Sequence, residues 1–99
     1  MSRYLLNALA IQDLEEISDQ FAKTSIEAGE RFFQEFQRKC RLLVSFANSG
    51  KSYNFIRPGL RGLPVDGYII FYRLLEDGVE ILRVLSGRRD LPALFQKPE

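Results

Sequence analysis

The 99-residue sequence contains no histidine and no tryptophan, and its only cysteine is Cys40. Without histidine, the chain cannot assemble a Ser-His-Asp or Cys-His nucleophilic centre, a histidine general base or the common types of zinc site. A single cysteine cannot form an intramolecular disulfide, which indicates a reducing compartment, the cytoplasm. We therefore expect a cytoplasmic protein that carries neither a metal ion nor another cofactor.

Long apolar runs are also missing. The longest all-apolar stretch beyond the N-terminal region is residues 68–72, whereas a membrane-spanning helix needs about 20 apolar residues. The sequence shows no internal repeat, low-complexity tract or linker. We therefore predict one soluble domain over residues 1–99, with no membrane partner.

The net charge is only +1, from 14 basic and 13 acidic residues, so we expect no direct sequence-specific binding to nucleic acid. The charge is nevertheless uneven along the chain: residues 1–30 sum to −4, residues 31–65 to +6 and residues 66–99 to −1. Tyr53 and Phe55 lie within the basic middle third. That third is either a nucleic-acid footprint of bases and aromatics or a solvated helix face followed by a loop. Docking of the acidic outer face of the first helix elsewhere in an assembly is a third possibility.

Hydrophobic spacing predicts two helices joined as a hairpin. The first should cover residues 8–23, with its apolar face at Ala10, Leu14, Ile17 and Phe21. Thr24 and Glu27 form a capping-box pattern, which predicts a second helix over residues 25–47 that ends at a left-handed Gly50. Its apolar stripe comprises Gly29, Phe33, Phe36, Cys40, Leu43 and Ala47, so we expect Cys40 to fill the core.

The remaining elements are predicted to be strands, at residues 3–6, 60–64, 68–75 and 79–86, with a further short strand around residues 54–57. A two-residue turn at Asp77-Gly78 would place Tyr72 opposite Arg83 and Leu74 opposite Ile81. Asp90 should cap a short C-terminal helix that reaches Phe95. The predicted fold is α+β: an N-terminal strand and a helical hairpin packed on an antiparallel β-sheet, followed by the short helix.

Arginines are the main candidates for a functional site. Arg88 and Arg89 follow a strand and offer two guanidinium groups to a phosphate or carboxylate; the alternative is a cap at Asp90 flanked by solvated arginines. A ligand-facing basic stripe is a second hypothesis, composed of Arg61, Arg73, Arg83 and Arg89. The alternative there is that Arg73 and Arg83 mark the solvent edge of half-buried strands.

The C-terminal half of the sequence carries a resemblance to a known family. Residues 63–95, LPVDGYIIFYRLLEDGVEILRVLSGRRDLPALF, closely resemble the corresponding part of the ParE toxins of ParDE toxin–antitoxin modules, and residues 58–61, PGLR, belong to the same pattern. The predicted helical hairpin has the length and order expected of this family, so the resemblance covers nearly the whole chain. Residues 48–51, NSGK, depart from the family, which more often has a proline and Gly-Arg there.

The resemblance implies a RelE/ParE-like fold and the toxin component of a type II toxin–antitoxin system that serves plasmid stabilization. It implies inhibition of DNA gyrase without catalytic residues, and neutralisation by a cognate ParD-like antitoxin. The antitoxin would lay a helix against the helical hairpin and a strand beside the sheet. The residues expected to carry toxicity or partner binding are Arg61, Arg73, Arg83, Arg88, Arg89, Leu91 and Phe95.

The same superfamily contains the RelE ribonucleases, which cut ribosome-bound messenger RNA with lysines, arginines and a tyrosine. Ile69 stands where those nucleases carry a catalytic arginine, and residues 60–64 lack their lysines. Phe95 occupies the region of their tyrosine, and only Arg89 matches. A RelE-like endoribonuclease is therefore the alternative hypothesis, beside a degenerate, non-toxic protein that binds an antitoxin.

Overall fold

A computed structural model describes residues 3–96. Its elements are β1 (Arg3–Leu6), α1 (Ala8–Thr24), α2 (Ile26–Ser45), β2 (Lys51–Ser52), β3 (Arg61–Val65), β4 (Tyr68–Leu75), β5 (Gly78–Ser86) and α3 (Leu91–Gln96). The strands form one sheet in the order β1-β5-β4-β3-β2. The expected α+β architecture is confirmed, except that β1 lies parallel to β5 and makes the sheet mixed.

The two long helices form the predicted hairpin, but the capping residue differs from the prediction. Thr24 still belongs to α1, where its hydroxyl donates to the Gln20 carbonyl over 3.0 Å. Ser25 adopts an extended conformation and caps α2, because its hydroxyl oxygen accepts from the Ala28 amide at 3.2 Å. The predicted capping box at Thr24 and Glu27 is therefore wrong by one residue, and the two helices are separated by Ser25 alone.

The end of α2 also differs from the prediction. The helix ends at Ser45 with Phe46 as its C-cap, and Gly50 does not have a positive φ angle. Gly50 is instead required by packing, because a Cβ there would lie 2.6 Å from the Tyr72 hydroxyl. That hydroxyl donates to the Ala47 carbonyl at 2.7 Å and accepts from the Gly50 amide at 3.0 Å. Tyr72 thus fastens the segment after α2 to the sheet.

The β4–β5 hairpin turns one residue earlier than predicted. Leu75 pairs with Gly78, so Tyr72 lies opposite Ile81, and a bulge then places Phe71 opposite Arg83. The reason is Gly78, which pairs with Arg3 of β1 and whose Cβ, if present, would collide with the Arg3 carbonyl. A glycine is needed at position 78 because β1 approaches β5 closely there, and not because of the turn. Residues 54–57 also form turns, and the short strand is Lys51–Ser52.

Both faces of the sheet are covered. The hairpin packs on one face over a core to which α2 contributes Phe32, Phe36, Cys40 and Leu43; Phe32, and not the predicted Phe33, is fully buried. The opposite face carries a smaller core beneath residues 53–60 and α3, made of Tyr53, Leu60, Phe71, Leu85 and Phe95. The two cores bury opposite faces of β4, because successive side chains of a strand point to opposite sides.

A buried ion pair joins α1 to β5. The Asp13 carboxylate accepts from Arg83 Nε at 2.8 Å, from Arg83 Nη2 at 2.9 Å and from the Val84 amide at 2.9 Å. The two side chains are only 8% and 20% exposed. A buried carboxylate is tolerated when it is paired and fully hydrogen-bonded, so this bidentate contact fixes where α1 rests on the sheet.

Replacement of Asp13 tests this contact. Asp13→Ala leaves the Arg83 guanidinium and the Val84 amide without their carboxylate, and breaking a buried pair costs about 3 kcal/mol. The exposed Asp19 of the same helix is the matched control, because Asp19→Ala should change the free energy of unfolding by less than about 0.5 kcal/mol. Urea unfolding followed by circular dichroism measures both, and equal losses would contradict the assigned role.

The reactivity of the Cys40 thiol tests the packing of the main core. The predicted core position is confirmed, since the side chain is 0% exposed, and burial raises the pKa of its thiol from 9.0 to about 12. Because only the thiolate reacts, iodoacetamide should modify the native protein about a thousandfold more slowly than the urea-unfolded chain at pH 8. Above pH 9 the unfolded chain loses this proton while the native chain keeps it, so stability should fall as the pH rises. Similar labelling rates would refute this burial.

Candidate partner-binding surfaces

A shallow groove of about 280 Å³ lies between α1 and α2 near the hairpin connection. Gly29 brings the helices together here, because a Cβ on it would lie 2.9 Å from Phe21 Cβ. The groove is lined mainly by small and apolar side chains, including Phe21, Ala22 and Phe33, and Ile26 at its margin is 68% exposed. We call this surface the hairpin groove. An apolar groove between helices suits the apolar face of an amphipathic segment.

Arg61 supports the loop that follows α2. One terminal nitrogen donates to the Asn48 carbonyl at 3.1 Å and to the Gly50 carbonyl at 2.5 Å. Its Nε is buried and has no hydrogen-bond partner within residues 3–96. The guanidinium therefore holds the same loop that the Tyr72 hydroxyl fastens.

Arg73 and Arg83 occupy different environments. Arg73 donates to Glu80 at 2.7 Å and its side chain is 55% exposed, as the solvent-edge interpretation predicts. Arg83 instead reaches α1 through the ion pair with Asp13. A carboxylate accepts from each of these two guanidinium groups.

Arg88, Arg89, Leu91 and Phe95 are brought together where β5 leads into α3. Both arginines are exposed, and the Arg89 amide donates to the Ser86 carbonyl at 3.2 Å. Leu91 and Phe95 belong to the smaller core, with Phe95 only 8% exposed. Arg89 also lines a groove of about 240 Å³ between α1 and the end of β5. Arg73 lies near the turn of the β4–β5 hairpin, about 20 Å along the strands from the end of β5 that precedes Arg88 and Arg89.

The expected cap at Asp90 is present, because its carboxylate accepts from the Ala93 amide at 3.4 Å. The structure therefore has the features of the capping alternative, since Asp90 begins α3 and the preceding arginines are exposed to solvent. Binding of a phosphate or carboxylate by Arg88 and Arg89 stays a prediction.

Four aromatic rings form a continuous row on the sheet face opposite the hairpin. Ring centroids are 5.6 Å apart between Phe55 and Tyr53, 5.0 Å between Tyr53 and Phe71, and 5.1 Å between Phe71 and Phe95. Only Phe55 is exposed, at 77%. We call these four residues the aromatic row.

Two cations lie on the aromatic row. The Lys51 ammonium is 5.1 Å from the centroid of the Tyr53 ring. The Arg57 guanidinium lies 5.2 Å from the Phe95 ring and donates to the Phe95 carbonyl at 3.3 Å. Both contacts have the geometry of cation–π interactions. The Lys51 contact places positive charge on the ring that touches Phe55, whereas the Arg57 contact lies at the Phe95 end of the row.

The basic part of α2 behaves as a solvated face. Arg38 forms an ion pair with Glu35, with 2.6 Å between Nε and Oε1. Its hydrogen bond lowers the pKa of Glu35, and the same contact raises the pKa of Arg38. This pairing on an exposed helix accounts for part of the basic middle third of the sequence.

Across residues 3–96, no three His, Cys, Asp or Glu side chains are grouped so as to hold a metal ion. No helix in that range combines the length and apolarity needed to cross a membrane. Of the positions compared with the nucleases, Ile69 packs against the smaller core, Phe95 is buried in it and Arg89 is exposed.

Sequence reasoning missed three contributors. Asp13 lies three residues after Ala10 and four before Ile17, so its helical spacing already placed a carboxylate on the apolar face. Tyr72 was assigned to a strand without a role for its hydroxyl. Ile26 lies outside the predicted apolar stripe of α2 and is 68% exposed. A large apolar residue outside such a stripe is the sequence signal for the exposed margin of the groove.

Comparison with known proteins agrees with this geometry. The family model described as "ParE toxin of type II toxin-antitoxin system, parDE" matches residues 4–91. Toxin ParE1 of Mycobacterium tuberculosis (strain ATCC 25618 / H37Rv) is 33% identical over 92 residues, which cover 91% of this chain and 94% of that protein. Toxin ParE3 of Caulobacter vibrioides is 40% identical over 55 residues, 56% of this chain and 55% of that protein.

A solved structure has the same fold. The chromosomal ParDE TA system from P. aeruginosa contains a chain that superimposes with a TM-score of 0.73 at 22% identity, covering 87% of this chain and 96% of that one. At this identity the likeness supports the fold alone, whereas the family match and the M. tuberculosis relative both extend over nearly the whole chain. This chain therefore belongs to the ParE toxin family of type II toxin–antitoxin systems.

Proposed function

We propose that this ParE-family toxin arrests bacterial growth by binding and inhibiting DNA gyrase, and that a ParD-like antitoxin encoded beside it neutralises it. The observation that carries the proposal is the filling of the sheet face beneath α3 by the aromatic row. Packed aromatic rings at that face favour action by contact over chemistry.

Hydrolysis or transesterification of RNA requires several groups that converge on one phosphate and stabilise its developing charge. Ile69 and Phe95 are apolar and belong to the smaller core, whereas Arg89 is exposed. Arg61, in the compared strand, donates to the Asn48 and Gly50 carbonyls. One exposed arginine does not form such a constellation. This argues for the gyrase inhibitor over the RelE-like endoribonuclease.

The hairpin groove supports the antitoxin part of the proposal. An amphipathic antitoxin helix in the groove would bury the exposed side chain of Ile26 against Phe21 and Phe33. Full burial of such a side chain contributes about 2 kcal/mol. An antitoxin segment that folds as it binds would continue from the groove to lie beside the sheet.

Controlled expression in a bacterial host tests the proposed function. We expect growth arrest with filamentation and cleaved DNA, measured by microscopy and DNA electrophoresis, while protein synthesis continues at first. Rapid arrest of translation with intact DNA would contradict gyrase inhibition and support the endoribonuclease. Normal growth at a verified level of protein would support the degenerate, non-toxic alternative.

The hairpin groove has its own test, in which the antitoxin encoded in the adjacent reading frame is co-expressed. Ile26→Glu places a carboxylate at the margin of the groove, and desolvation of that charge should weaken antitoxin binding at least about tenfold. Ile11→Glu is the control, because Ile11 is an exposed residue of α1 that does not line the groove. If the antitoxin rescues growth equally well with both variants, the hairpin groove is not its binding site.

A further inference from the structure

We propose that Phe55, Lys51 on the adjacent Tyr53 ring and Arg57 of the same loop form the surface that binds the target protein, with the phenyl ring entering an apolar pocket bordered by carboxylates. We call these three residues the Phe55 surface. This inference rests on the proposed function, since it assigns the target-contacting surface of the same toxin. It concerns residues outside the set singled out from the resemblance.

The exposure of Phe55 is the first argument. At 77% it is the most exposed of the large hydrophobic side chains, ahead of Ile26 at 68%. A single exposed apolar side chain on a flexible loop would be ordinary. The significance of Phe55 therefore depends on how firmly the loop holds it.

The loop of residues 53–60 is closed by its own hydrogen bonds. The Tyr53 amide donates to the Leu60 carbonyl at 2.8 Å, and the Gly59 amide donates to the Asn54 side chain at 2.8 Å. Gly59 has a φ of 81°, a conformation that favours glycine. The ring of Phe55 also rests against Tyr53. A preorganised anchor loses little conformational entropy on binding, so its buried area contributes more fully to affinity.

Charge indicates the chemistry of the partner. Lys51 and Arg57 lie on the aromatic row that ends in Phe55, and neither takes part in an ion pair within residues 3–96. Within the described residues, Lys51 lies on the Tyr53 ring, and Arg57 lies on the Phe95 ring and donates to the Phe95 carbonyl. A partner surface that borders its apolar pocket with Asp or Glu would complement this arrangement.

A protein partner is favoured over single-stranded nucleic acid. Single strands are bound on successive exposed rings, one for each stacked base. Tyr53, Phe71 and Phe95 are all buried, so Phe55 is the only ring of the aromatic row that a base could reach. One apolar anchor bordered by cations is instead the anatomy of a protein–protein hot spot.

The Phe55 surface and the hairpin groove lie on opposite faces of the sheet, over the smaller core and the main core respectively. Substitution at Phe55 should therefore leave the groove intact, which makes target binding and antitoxin binding separable by mutation. Neutralisation would then depend on the antitoxin segment that the proposed function places beside the sheet.

The experiment compares the wild-type protein with Phe55→Ala, with the conservative Phe55→Tyr and with Phe46→Ala. Phe46 is the matched control, because it is 63% exposed at the end of α2. Each protein is expressed at graded levels to find the amount that arrests growth, and purified protein is tested for binding to purified gyrase by surface plasmon resonance. Thermal unfolding confirms that every variant is folded, and Lys51→Gln serves if Phe55→Ala does not fold.

We expect Phe55→Ala, or Lys51→Gln in its place, to weaken both growth arrest and gyrase binding at least about tenfold, while Phe55→Tyr and Phe46→Ala resemble the wild type. If Phe55→Ala relieves growth arrest but the wild type does not bind gyrase, the result supports the Phe55 surface as the target-binding surface and refutes gyrase as the target. Undiminished arrest by Phe55→Ala, or an equal loss in Phe46→Ala, overturns the proposal. It is also overturned if the wild type does not arrest growth, or if Phe55→Ala abolishes binding of a fluorescent single-stranded oligonucleotide.

Discussion

The carboxylate of Asp13 fixes the position of the helical hairpin on the sheet. It accepts three hydrogen bonds, two from Arg83 and one from the Val84 amide, at the part of β5 that follows the bulge. Because a buried carboxylate is tolerated only when it is satisfied in this way, α1 has one favoured position on the sheet. The rest of the hairpin follows, since Ser25 alone separates α1 from α2. The hairpin groove is thus presented on a fixed support.

The two faces of the sheet carry different kinds of surface, and this difference underlies the proposed action as a binding toxin. One face is covered by the hairpin, whose outer surface offers an apolar groove. The other is filled with aromatic rings, and its exposed features are Phe55, Lys51 and the arginines that precede α3. Ile69 and Phe95 contribute to that packing. Aromatic packing there leaves Phe55 and the neighbouring cations as surface features available for contact.

Most of the architecture was predictable from the sequence, because the hydrophobic period changes cleanly from helical to strand spacing after residue 50. The errors arose where two residues of similar propensity compete or where distant segments meet. Ser25 outcompetes Thr24 as a cap by one position, and Gly78 is required by β1, which is remote in sequence. Arg83 was predicted to face a ligand or the solvent edge, but its environment is set by Asp13, 70 residues away. Such long-range pairings leave only a faint local signal, here a carboxylate on an apolar helix face.

The central claim is that the protein acts by binding gyrase and not by cutting RNA. The most direct measurement adds the purified chain to gyrase and relaxed plasmid DNA, and to translating ribosomes in a parallel reaction. The account predicts that supercoiling is inhibited in proportion to the protein added, while ribosome-bound messenger RNA stays intact. Unaffected supercoiling together with cleaved messenger RNA would contradict it.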